Sequence, residues 1–158
     1  MIRAHQFAYQ RGITSIKNPW DAKLYSNLTR IAMAKMLSNY AINVLGKTPA
    51  NIIVPRFSDV SEKLNEDYGG AVDLAYQLWI MWIWIDKFRP NDTVTRAEFA
   101  TALSRLLYGT EDWTDGKYYT THLMKLYEEW IISVVDPKII EKRWYVMLML
   151  MRAVNGSW

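Results

Sequence analysis

Cysteine is absent from the 158-residue chain, which excludes zinc ribbons, thiol catalysis and a disulfide framework. The compartment stays open, because a cell-surface protein can also lack cysteine. Glycine is scarce, with 7 residues, about 4% where average usage is near 7%. No Gly-rich phosphate loop and no nucleophile elbow are present. Long apolar runs are missing too. Membrane insertion needs about 20 predominantly apolar residues, whereas the longest candidates, 78–85 and 144–151, have eight each and read as core. Residues 1–6 carry no apolar stretch and no cleavage pattern, so a signal peptide is not visible. Charge of one sign does not dominate: 19 Lys and Arg face 16 Asp and Glu, for a net +3. The basic residues are scattered, which argues against a nucleic-acid partner. His5 and His122 have no acid at ligand spacing and read as packed or solvated side chains, not metal ligands.

What is present is 51% apolar and 22% charged residues, the profile of one globular domain, with an unusual 8 tryptophans. Three segments superpose without gaps: Ala8-Tyr9-Gln10-Arg11-Gly12-Ile13, Ala75-Tyr76-Gln77-Leu78-Trp79-Ile80 and Leu126-Tyr127-Glu128-Glu129-Trp130-Ile131. Each is followed by a loop and a helix start: Thr29-Arg30-Ile31, Thr95-Arg96-Ala97 and Glu141-Lys142-Arg143. Self-similarity of this kind marks repeats. Three units are expected, at 1–46, 57–109 and 117–154, with 55–60 and 109–116 as linkers.

Apolar spacing makes the segments helical. Ala71, Leu74, Ala75 and Leu78 fall at i, i+3, i+4, i+7, as do Leu123, Leu126, Tyr127 and Trp130. Phe99, Leu103, Leu106 and Leu107 give a stripe on the second helix of the middle unit, and Met33 to Leu45 give one in the first, with Gly46 placed as a cap. The last helix, around 145–151, is apolar nearly all round and suits a buried position. The expected fold is all-α: six helices in three hairpin-like helix-loop-helix repeats about a pseudo-threefold axis.

The middle unit carries Phe57-Ser58-Asp59-Val60, then Phe88-Arg89-Pro90, then Val94-Thr95-Arg96-Ala97-Glu98-Phe99-Ala100. In that order and spacing the string resembles the S-layer homology family. The first unit keeps Leu28-Thr29-Arg30 but has Ala32 where the motif has an acid, and the third has Glu141-Lys142 in place of Thr-Arg. The resemblance implies a non-catalytic module that attaches a surface protein to the cell envelope. Its partner would be an acidic, sometimes pyruvylated, secondary cell-wall polysaccharide or another wall polymer, held in grooves between repeats. It implies ligand contacts at Arg96 and Arg30, with Lys142 the weakest match and Thr29 and Thr95 beside them. It also implies a cell-surface location within a longer secreted protein and no cofactor. A helical assembly module binding another surface-layer protein is the alternative.

Thr95-x-x-Glu98 is also a capping box, which accounts for Thr95 and Glu98 without a ligand. Arg96 is not explained by capping, since a cation in the first helical turn opposes the helix dipole. Two readings stand for it: a site for a carboxylate at the helix start, or an internal pair with a loop acid such as Asp59 or Asp92. Glu128 and Glu129 are adjacent and do not face one another, and residues 86–92 lack the glycine and terminal Glu of a calcium loop. No catalytic constellation is present.

Gly12, Trp79 and Trp130 occupy one column at the end of the first helix, where a left-handed residue, usually glycine, is common. Trp82, Trp84 and Trp144 likewise stand where glycine is expected from the family pattern. Such a column is expected if the source lineage reads UGA as glycine. A real aromatic cluster, packed or stacking on sugar rings, is the other reading.

Overall fold

The computed structural model describes residues 1–81, 86–109 and 117–155. Trp82, Trp84 and most of the second expected linker lie outside them. Among the described residues the structure is helical, without a sheet: α1 (Ile2–Gln10), α2 (Arg30–Asn43), α3 (Glu62–Asp67), α4 (Ala71–Gln77), α5 (Arg96–Tyr108), α6 (Thr120–Glu128) and α7 (Arg143–Asn155). Among the described residues no helix is long and apolar enough to cross a membrane.

Six of these are the expected helices, five from their apolar residues and α1 from the repeated segment. The seventh, α3, has no buried residue and no apolar stripe; it exists because Ser61 caps it, accepting from the N–H of Leu64 at 3.1 Å. Helix α2 stops at Asn43, before the end of its expected stripe, and Gly46 takes φ 66° just beyond it. Helix α7 buries Val146, Met147, Met149 and Leu150 completely, as its composition requires.

The helices of one unit do not form a hairpin with each other, which corrects the expected pairing. Instead α2 packs on α4, α5 on α6 and α7 on α1. Each second helix therefore meets the first helix of the following unit, and the last meets the first. The physical reason is loop length. Residues 11–29, 78–95 and 129–142 carry the chain far enough to deliver the second helix to a neighbour.

Those loops are joined at the centre by a closed circuit of backbone hydrogen bonds. The N–H of Leu28 donates to Glu141 O at 2.8 Å, that of Glu141 to Val94 O at 2.9 Å, and that of Val94 to Leu28 O at 3.0 Å. Around it the same rungs recur. Arg30 N donates to Asp92 O, Arg96 N to Ile139 O and Arg143 N to Ser26 O, at 2.9, 2.7 and 3.1 Å. Leu28 and Val94 are wholly buried, so these amides have no water and depend on one another.

Helices α1, α4 and α6 end alike. Gly12, Trp79 and Trp130 have φ 66°, 59° and 60°. In each case the N–H of the following isoleucine reaches back five residues: Ile13 to Ala8 O at 2.8 Å, Ile80 to Ala75 O at 3.0 Å and Ile131 to Leu126 O at 2.9 Å. This is the Schellman ending, whose left-handed position favours glycine. Trp144 differs: it sits inside α7, against Tyr145, and its backbone gives no reason for glycine.

Candidate functional site

The helix-start residues are placed by the rungs just described, and these set a register. Arg30, Arg96 and Arg143 are structural counterparts, and so are Thr29, Thr95 and Lys142, because each Arg amide donates to the equivalent point of the next loop. The sequence comparison that set Lys142 beside the two arginines is therefore one residue out. Lys142 stands at the threonine position.

Thr29 and Thr95 are N-caps. The Thr29 hydroxyl accepts from Ala32 N at 3.4 Å. Thr95 accepts from Glu98 N at 3.3 Å while Glu98 accepts from Thr95 N at 2.8 Å, completing the expected capping box. Lys142 has no cap to make. It is exposed and donates to the Asn27 side-chain oxygen.

Arg96 is sealed in the interior. Its Nε and Nη2 donate to the two oxygens of Glu141 at 2.7 and 3.2 Å, Nη1 donates to Val134 O at 3.0 Å, and the guanidinium lies 4.7 Å from the Tyr145 ring centre. The two side chains are only 5% and 1% exposed. The internal-pair reading of Arg96 is realised, but with Glu141 as the partner in place of Asp59 or Asp92. Glu141 fills the central-circuit position occupied by Leu28 and Val94 in the other units. Burial pushes its carboxyl up, and the Arg96 guanidinium pulls it back down.

Arg30 faces the corresponding junction where Val94 offers no carboxylate. Its Nε donates to Phe88 O at 2.9 Å, its guanidinium lies 5.5 Å from the Phe88 ring centre, and Glu98 approaches only to 3.5 Å. Arg143 faces Leu28 and donates from Nε to Ala22 O at 3.0 Å. Among the described residues it has no carboxylate partner within 4.0 Å. The three junctions thus differ in charge: one closed ion pair, one loose pair, and one with cations alone.

Asp59 has a role that the sequence does not announce. Its two oxygens accept from the backbone N–H groups of Phe88 and Arg89 at 2.9 and 2.8 Å. Ser58 adds hydrogen bonds to Asp86, and the Phe57 and Phe88 rings lie 5.7 Å apart. Residues 57–60 are thereby fastened to 86–89, ahead of the start of α5. His5 is packed, bonded through Nε2 to Ile16 O at 2.9 Å. His122 is also buried, and burial lowers its pKa, with the nearby Arg105 adding to the effect. No group of metal-ligating residues gathers among the described residues.

The family model described as the S-layer homology domain matches residues 56–100, a range that includes Asp59 and the helix start at Thr95. No curated protein matches the chain.

Proposed function

We propose, from the premise that residues 56–100 are an S-layer homology domain, that this chain is a non-catalytic module holding a surface protein on its cell wall through an acidic secondary wall polysaccharide. S-layer homology domains are binding and anchoring units associated with the cell surface or envelope. The match to 56–100 carries the reading. The loop circuit supports extending it to three repeats across residues 1–155, since the units on either side repeat the same rungs.

The anionic groups of the polymer would be met by cations at the helix starts. Arg96 has given most of its donors to Glu141 and Val134, so its part is to fasten the junction. The exposed Lys142 remains as a contact, together with the 11% exposed edge of Arg30, whose carboxylate partner is the looser one, and Thr29 and Thr95 shape the helix ends beside them. Pyruvylated polymers suit such a site because a ketal carboxylate is compact and matches charged N–H donors.

The test is co-sedimentation with purified cell walls before and after acid extraction of their secondary polymers. Retention on intact walls and loss on extracted walls is the expected result. A protein that stays in the supernatant with intact walls overturns the proposal.

A further inference from the structure

The junction between the third unit and the first carries cations without carboxylate partners, and beside it lie two largely exposed rings. Trp20 is 82% exposed and Tyr25 is 70% exposed. They line a groove of about 380 Å³ together with Ile2, Pro19, Lys23 and Leu24. A loop that leaves so much aromatic area in water gains nothing from it in the folded chain.

The loop is nevertheless held firmly. Trp20 N donates to the Asn18 side chain at 3.1 Å, Ala22 N donates to Pro19 O at 3.3 Å, and Ser26 N to Lys23 O at 2.9 Å. From the other side α7 grips it: Trp144 N donates to Leu24 O, Arg143 N to Ser26 O, and the Arg143 side chain to Ala22 O. Lys23 sits at φ 47°, a conformation that costs a side-chain-bearing residue stability and persists only where its surroundings impose it. Lys142, bonded to Asn27, adds a second exposed cation next to Ser26. Asp21, the one acid of this loop, does not line the groove.

We propose that this groove binds an acidic pyranose residue, its apolar ring face on Trp20 and Tyr25 and its carboxylate at Lys23. The inference rests on the wall-polymer reading and deepens it, by moving recognition from the arginines of the repeated motif to the first loop. Flat aromatic rings with polar edges suit a ring that is apolar on one face and hydroxylated at its rim. The lysine selects for charge. A second copy of the chain would bring the same positive charge to the groove and is disfavoured.

The probes are methyl β-glucuronoside and the neutral methyl β-glucoside, titrated into the whole chain while amide resonances of residues 20–26 are followed. The expected result is saturable shifts in that loop, with the acid bound roughly fivefold or more tightly than the neutral sugar. Trp20→Ala should weaken both by roughly tenfold, and Lys23→Gln should erase the preference for the acid, each with unchanged helicity. Absence of binding while wall co-sedimentation persists overturns this site alone. Absence of both overturns the wall-polymer reading as well. A Trp20-dependent change of oligomeric state without sugar binding identifies a contact between copies and also overturns the site.

Trp20 is not among the residues with left-handed backbone, whereas Trp79 and Trp130 are. Their rings are 52% and 70% exposed. Bulky residues at φ near 60° disfavour folding by about tenfold each, and Gly12 fills the same place in the first unit. We infer that positions 79 and 130 are glycine in the protein as the cell makes it, encoded by UGA read as glycine. Two readouts test this: the codons in the gene, and the mass of the corresponding peptides from source cells. UGA codons with glycine masses are expected, and UGG codons overturn the inference. Chains made with glycine at both positions should melt higher than the tryptophan form by roughly 5 °C.

Discussion

Arg96→Ala is expected to lower stability by about 3–5 kcal/mol, the usual cost of leaving one member of a buried ion pair behind. That is a large share of the roughly 5–15 kcal/mol that holds a typical domain together. Glu141 would keep its place in the central circuit, 1% exposed, with no guanidinium to meet its two oxygens. Its carboxyl, already pushed up by burial, would rise further once the opposing pull of Arg96 is gone. A folded-state pKa above the unfolded value means that the folded chain holds the extra proton, so stability falls as pH rises through that pKa. The loss should therefore be greater at pH 8 than at pH 5. Urea denaturation at both values measures it, and a loss under about 1 kcal/mol at pH 8 would sink the prediction. Replacing both partners, Arg96→Met with Glu141→Leu, removes both buried charges and gives the circuit a third apolar residue beside Leu28 and Val94. It should restore most of the stability, because buried pairs exchanged for apolar groups of similar size are often neutral or stabilising.

Asp59→Ala is expected to cost about 2 kcal/mol, since it removes a charged acceptor from two backbone N–H groups at once. Those bonds hold Phe88, whose carbonyl accepts from Arg30, and Arg89, which sits at φ 58°. Releasing them loosens the loop on which α2 begins. Burial pushes the Asp59 carboxyl up, but the Phe88 and Arg89 N–H groups outweigh it and hold the pKa below its ordinary value. A depressed carboxyl pKa contributes stability above the unfolded value, near 3.9, and that contribution disappears as pH falls through the folded one. Native and substituted chains should thus converge in acid and differ most near neutrality. Thermal melts across pH 2.5 to 7 give the comparison, and a difference that grows toward low pH would contradict the assignment.

Much of this arrangement is legible in the residues themselves. Apolar positions mark five helices because each buries a stripe or a whole surface, the repeated segment marks the sixth, and Thr95-x-x-Glu98 marks a helix start through its own capping chemistry. Helix α3 escapes because Leu64 is its one apolar residue, too few for a stripe, and because it starts at the Ser61 cap. The pairing of helices escapes because periodicity tells which face is apolar and says nothing about which neighbour covers it. The Arg96 partner is harder still. Glu141 lies 45 residues away, and only the register of the loop circuit brings the two together. A clue was nevertheless present: aligning Arg143 with Arg30 and Arg96 puts Glu141 in a column with Leu28 and Val94, and an acid in an apolar column asks for a buried cation. The exposed rings at Trp20 and Tyr25 carry no sequence signal, since exposure is a property of packing alone.

The cyclic pairing of helices has a consequence for how the chain folds. Helix α1 has its main partner in α7, so of the described helices the earliest in sequence waits for the latest. The loop circuit likewise closes only when residues 28, 94 and 141 are all available. Such distant closures raise the entropic barrier and slow folding. They also tie the units into a single cooperative transition, unlike the stepwise melting of stacked repeats whose members touch only their sequence neighbours.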